Sequence, residues 1–214
     1  MSRDGAYVSV LTSASAEYID RKSQFIGYAK PVKTKEEALE FIAEIRKKHS
    51  DARHNVYAYV TRAENSMGYS DDGEPQGTAG MPVLDVIRKK GITDVVIVVT
   101  RYFGGILLGT GGLVRAYTQA ASDAVAAAGE ARYESYTEFE INCDYSEYGK
   151  ISFELEKYTK KIIGTDFEER VTIKYLLLSE EKERFEKKLT EMFGGRINPT
   201  QKSEGYYCPE ASEG

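Results

Sequence analysis

The chain is poor in the residues that most often perform covalent or metal chemistry. Among 214 residues there are two cysteines and two histidines. Cys143 and Cys208 are too few for a disulfide framework and lack the spacing of a metal knuckle. In a reducing compartment both are expected as free thiols. Long hydrophobic runs are missing too: VVIVV, ILLG and YLLL fall far short of the ~20 residues a membrane helix needs. The opening MSRDGAYVSV has no apolar core behind a basic head, which argues against a secretory signal. Nor is positive charge in excess. Residues 1–130 hold 16 Lys+Arg against 16 Asp+Glu, residues 131–214 hold 13 against 18, and the whole carries −5. That excludes a uniformly basic nucleic-acid binder, so any contact with RNA must rest on a local patch. The plain reading is a cytoplasmic protein with no membrane partner.

What is present describes an ordinary globular chain: 41% hydrophobic and 29% charged residues, in a length that suits one large domain or two small ones. The strongest segment is Asp94–Thr100 (DVVIVVT), whose unbroken β-branched run predicts a strand buried on both faces. Before it, AYVSVLT at 6–12 and QFIGYAKPV at 24–32 read as strands separated by polar EYIDRKS. Thr34 with Glu37 predicts a capped helix running to about His49 and burying Ala38, Phe41, Ile42 and Ile45. NVYAYVT at 55–61 reads as a third strand. Residues 62–80 read as a long loop without regular structure. Met81-Pro82 opens a short helix that ends at Gly91. After the DVVIVVT strand, a glycine-rich turn leads to an alanine-rich helix over about 113–128. From Tyr136 the order changes to β-α-β-β-α-β, the ferredoxin-like arrangement. Its strands are Thr137–Cys143, Ile162–Phe167, Arg170–Leu178 and Gly205–Cys208, and its helices are Tyr148–Tyr158 and Glu180–Phe193. In such a sheet the first and last strands are antiparallel neighbours, which would bring Cys143 near Cys208. The fold class is therefore α+β in two domains, 1–132 and 133–214.

Three stretches are chemically suggestive. In Gly104-Gly105-Ile-Leu-Leu-Gly109-Thr-Gly111-Gly112, backbone amides ahead of a helix could face an anion. Equally, these glycines could serve only positive φ and close packing. The Walker A ending is absent, and Val114 stands where a dinucleotide fingerprint needs glycine. Arg101 and Arg115 flank the turn; they would suit phosphate, or could pair with Asp71, Asp72 or Glu74. The acidic loop holding those three residues is a weak metal candidate, because EF-hand spacing fails: Pro82 or Val83 falls at the twelfth position. His54, at a strand mouth beside Arg53, is the better histidine for chemistry. No GxSxG, HExxH or cysteine–histidine arrangement supplies it with a nucleophile.

Three blocks, RHNVYAYV at 53–60, SDDGEPQGTAGMPVLDVI at 70–87 and VVTRYFGGILLGTGGLVRAYTQA at 98–120, make the chain resemble the IMPACT/YigZ family (uncharacterised protein family 0029), bacterial two-domain type. The resemblance implies an N-terminal domain like a ribosomal protein or domain four of elongation factor G, an α+β sandwich with a left-handed βαβ crossover. It also implies a C-terminal domain like the last domain of that factor. Eukaryotic relatives regulate translation initiation by competing for the activator of a kinase that acts on an initiation factor; their extra RWD domain has no counterpart here. No catalytic residues carry over from the resemblance.

These readings lead to a translation-linked regulatory protein that binds RNA or the ribosome through the N-terminal domain and needs no cofactor. The nucleic-acid or anion site expected is Arg53, His54, Arg101, Tyr102, Phe103, Gly104, Gly105, Gly111, Gly112 and Arg115, which mixes charge with stacking surface. Two alternatives remain at this level: a metal-assisted hydrolase using Asp71, Asp72, Glu74 and His54, and a protein–protein adaptor whose partner belongs to translation control.

Overall fold

A computed structural model describes residues 6–63 and 65–208, which divide into a unit Tyr7–Arg132 and a second unit beginning at Tyr133. The first unit is built on one antiparallel sheet. Its strands are β2 (Ala14–Asp20), β3 (Ser23–Pro31), β4 (His54–Thr61), β5 (Ser66–Ser70) and β6 (Val95–Tyr102), in the order β2-β3-β6-β4-β5; β1 (Tyr7–Val10) precedes them. β6 is central, antiparallel to both β3 and β4. Its alternate side chains enter two different cores. Val95, Ile97 and Val99 pack with α2 (Gly80–Lys90) and α3 (Gly109–Ala128), while Val96 and Val98 pack with α1 (Lys35–Lys48). That arrangement explains the uninterrupted apolar run, since neither face meets water.

Helix α1 begins as its sequence predicts. The Thr34 hydroxyl accepts the Glu37 N–H at 3.2 Å, and Ala38, Phe41, Ile42 and Ile45 are the buried face. Gly91 closes α2 with φ 64°. Three expectations need correction. The polar EYID segment is not a separator but part of edge strand β2, paired with β3 from Ala14↔Ala29 to Asp20↔Ser23. The supposed loop 62–80 contains β5, which pairs with β4. Glycine there is a packing requirement and not a turn signal: a Cβ at Gly68 would lie 2.6 Å from the Tyr59 ring. Finally α3 starts four residues earlier than expected, so Gly111 and Gly112 belong to its first turn.

The second unit comprises most of β7 (Glu130–Cys143), then α4 (Tyr145–Leu155), β8 (Thr159–Phe167), β9 (Val171–Leu178), α5 (Lys182–Phe193) and β10 (Thr200–Tyr207). Pairings β10·β7, β7·β9 and β9·β8 are all antiparallel, giving the ferredoxin-like order β10-β7-β9-β8. Ile151 and Leu155 of α4 and Phe185, Leu189 and Phe193 of α5 share its core with Phe139, Ile141, Ile173 and Tyr175. The cysteines do not meet. Thr200 lies opposite Glu140 and Tyr207 opposite Glu134, so Cys143 and Cys208 follow the ends of antiparallel strands and stand at opposite ends of the pair. Both are buried, and burial pushes the Cys143 thiol pKa up.

Candidate nucleic-acid interface

One end of the first sheet gathers most of the residues singled out in the sequence. β3 begins where β6 ends, with Gln24 opposite Tyr102. β4 begins there as well, with His54 opposite Arg101. Arg53 therefore projects from the same edge as Tyr102 and Phe103. The alternation along β6 sends Arg101 and Tyr102 to opposite faces of the sheet.

Arg101 is buried, 6% exposed. Its Nη1 donates to Glu74 Oε1 at 2.6 Å, and the guanidinium lies 5.4 Å from the Phe25 ring centre and 5.6 Å from that of Phe103. The same Glu74 oxygen accepts the Tyr117 hydroxyl of α3 at 2.7 Å. Burial and the adjacent carboxylate push the Tyr117 phenol well above its ordinary range, so it remains a donor. His54 completes the group. Its Nδ1 lies 2.9 Å from the Asp72 carbonyl; a carbonyl can only accept, so this nitrogen carries the proton. Nε2 then faces Glu74 Oε1 at 4.0 Å. The cluster fastens three elements and a loop together beneath the strand end.

Tyr102, on the α1 face, joins a different network. Its hydroxyl donates to Asp51 Oδ1 at 2.9 Å and accepts from His49 Nδ1, also at 2.9 Å. His49 Nε2 in turn accepts the Tyr28 hydroxyl at 2.7 Å. This pattern fits neutral imidazole, and burial, followed by the charge of Lys48, lowers the His49 pKa from its ordinary value. Nothing near His49 in the chain signals this network: the residue reads as part of a polar helix end, and its two tyrosine partners are distant in the chain.

The acidic loop is held by protein partners throughout. Asp71 Oδ1 accepts the Ala79 and Gly80 N–H groups at 3.0 and 2.8 Å, and Oδ2 accepts that of Gly77 at 2.9 Å. It therefore caps α2, whose own N-cap residue Ala79 has no side chain to do so. Asp72 accepts Arg46 Nη2 at 2.6 Å and the Asn55 N–H at 2.7 Å. Glu74 belongs to the buried cluster. The three carboxylates are thus turned to three separate tasks and share no centre. No group of three or more metal-ligating side chains occurs among the described residues.

Beyond Tyr102 the chain leaves the sheet and becomes exposed. Phe103 is 51% and Leu107 81% exposed, with Ile106 exposed beside them. Gly104 is pressed against the β2–β3 hairpin: a Cβ there would lie 2.0 Å from the Lys22 carbonyl carbon. Gly105 and Gly109 take φ 84° and 71°. The first turn of α3 has no side-chain cap, and the Arg115 guanidinium lies along it, 3.7 Å from where a Gly111 Cβ would stand. Arg53 and Arg115 are exposed. The result is an exposed apolar link between β6 and α3, with Arg53 just before β4 at the same end of the sheet and Arg115 along the uncapped first turn of α3.

These features define a two-unit α+β protein with an exposed apolar turn at one end of its first sheet. A family model, the Impact N-terminal domain, matches residues 21–125, and another, Domain of unknown function (DUF1949), matches residues 141–196. The chain is 36% identical over 192 residues to "IMPACT family member YvyE" of Bacillus subtilis (strain 168), covering 89% of this chain and 88% of that protein. It is likewise 36% identical over 180 residues to "IMPACT family member YigZ" of Escherichia coli (strain K12), covering 83% and 88%. "Protein IMPACT" of Mus musculus is 35% identical over 94 residues, 42% of this chain and 30% of that protein. A solved structure described as a crystal structure of an hypothetical protein superposes with TM-score 0.59 at 32% identity, covering 92% of this chain and 98% of the other. The chain belongs to the IMPACT family.

Proposed function

We propose that this protein is a translation-linked regulator that binds RNA, free or within the ribosome, through the sheet end of its first unit. Family membership supports the link to translation. The observation that carries the binding reading is the Phe103–Leu107 turn, whose large apolar side chains stand in water on the link between β6, whose neighbour β4 follows Arg53, and the first turn of α3, along which Arg115 lies. Exposed aromatics next to cations are what single-stranded RNA needs, stacking for bases and charge for phosphates. Arg101 supports this surface from beneath. Its guanidinium is engaged by Glu74, so the direct phosphate contacts fall to Arg53 and Arg115. A metal-assisted hydrolase is less well supported, because Asp71, Asp72 and Glu74 each have a protein partner.

The test is co-sedimentation with ribosomes and with single-stranded RNA at low and moderate salt. Binding is expected to be salt-sensitive and to weaken in Phe103→Ala and in Arg53→Ala/Arg115→Ala. Failure of the folded protein to bind either target at low salt would overturn the reading.

A further inference from the structure

The β2–β3 hairpin turn holds an anomaly that the fold itself does not require. Asp20 pairs with Ser23, leaving Arg21-Lys22 as a two-residue loop with φ of 45° and 68°. Positive φ at both central positions is the type I′ signature, for which Asn-Gly is the favoured sequence because side chains with a Cβ are strained there. Two long basic residues are therefore held in the least hospitable backbone positions of the hairpin. Their side chains gain no internal compensation: both residues are exposed, and neither side chain has a hydrogen bond or ion pair among the described residues. Strain kept without a structural return points to function.

The location agrees. Gly104 has no side chain because the Lys22 backbone occupies that space, and the Gly104 N–H donates to Ser23 Oγ at 3.2 Å. The hairpin turn and the Phe103–Leu107 turn are thus in backbone contact, and Arg53 projects from the other neighbour of β6.

We propose that Arg21 and Lys22 are phosphate contacts of the RNA-binding surface, presented by a deliberately strained hairpin beside the Phe103–Leu107 turn. The inference rests on the RNA-binding reading above and adds its second flank. Charge favours this occupant: Arg21, Lys22, Arg53 and Arg115 are four exposed cations without ion-pair partners among the described residues, while the loop acids Asp71, Asp72 and Glu74 are bonded inward, so that Asp20 before Arg21 and Asp51 near Arg53 offset only part of the positive charge. A polyanion crossing the apolar tip would meet positive charge on both sides.

The experiment compares three forms of the full chain by fluorescence anisotropy with a labelled oligouridylate across a salt series, and by thermal unfolding. Arg21→Asn/Lys22→Gly installs the preferred type I′ pair. It is expected to raise the melting midpoint by roughly 4 °C or more, yet weaken RNA binding about tenfold and flatten the logarithmic salt slope by ~1.4, the value for two lost phosphate contacts on a single strand. Arg21→Gln/Lys22→Gln removes charge while leaving a side chain at each position, and should flatten the slope equally. Unchanged affinity and slope in both variants, with wild type binding normally, would overturn the inference and leave the RNA reading standing. Loss in the Asn-Gly form but not in the Gln-Gln form would also overturn it, since backbone and not charge would be responsible. Absence of RNA binding by wild type would defeat the reading and the inference together.

Discussion

Glu74 shows how little of a residue's role its neighbours in sequence disclose. In the loop SDDGE it looks like one of three equivalent acids. In the fold it is the buried acceptor for Arg101 and Tyr117, which lie 27 and 43 positions away. Removing one member of a buried ion pair leaves the other charge unpaired. Arg101→Met is therefore expected to lower stability by about 3–5 kcal/mol in urea unfolding, which makes Arg101 a poor probe of RNA contact and Arg53 a better one. His49 supplies a pH signature. Its folded-state pKa lies below the ordinary value of 6.5, so the unfolded chain takes up a proton first as pH falls. The stability this neutral histidine contributes is complete above about pH 6.5 and is lost progressively below it, down to the folded pKa. Urea midpoints should thus fall between pH 7 and pH 5, and His49→Gln should flatten that part of the profile.

Elements were legible where local signals and burial agreed. Thr34, Glu37 and the 38-41-42-45 spacing announced α1 because cap and apolar stripe coincide. The β-branched run announced β6 because both of its faces are covered. What escaped was set by distant partners. β2 is polar because it is an edge strand with one exposed face, and β5 carries a glycine because the Tyr59 ring lies across it. The first turn of α3 is glycine-rich where propensity alone would deny a helix. Of the candidate site, the sequence put Arg53, His54, Arg101, Tyr102 and Phe103 in one region but could not tell surface from foundation, since that depends on where the strand ends: Arg101 lies within β6 and is buried, whereas Phe103 follows its last residue and stands exposed. Two substitutions test these element-level roles. Asp71→Ala leaves the start of α2 without its acceptor and should cost about 1–2 kcal/mol. Gly104→Ala drives a methyl group into the Lys22 backbone. Because the clash is with backbone and no rotamer change relieves it, the variant should melt well below wild type, as differential scanning calorimetry would show.

For the molecule as a whole, a first unit of balanced charge can still present a positive edge, because some of its acids are taken up by arginines in pairs such as Arg46–Asp72, Arg62–Asp94 and Arg101–Glu74. The proposed binding through four surface cations would set a ceiling: the logarithmic salt slope on single-stranded RNA should be no steeper than about −2.8, and a steeper value would require contacts elsewhere on the chain. The position of β6 has one more consequence. It is hydrogen-bonded to a strand on each side and walled off on both faces, so its amide protons have no local route to solvent. They should exchange with deuterium only when the whole first unit opens, whereas amides a few residues further on, around Gly105 to Leu107, should exchange within the shortest labelling time. The slowest and fastest clocks of the unit would then lie within one short peptide, and ligand held at the turn would be read as the fast clock slowing while the slow one keeps its pace.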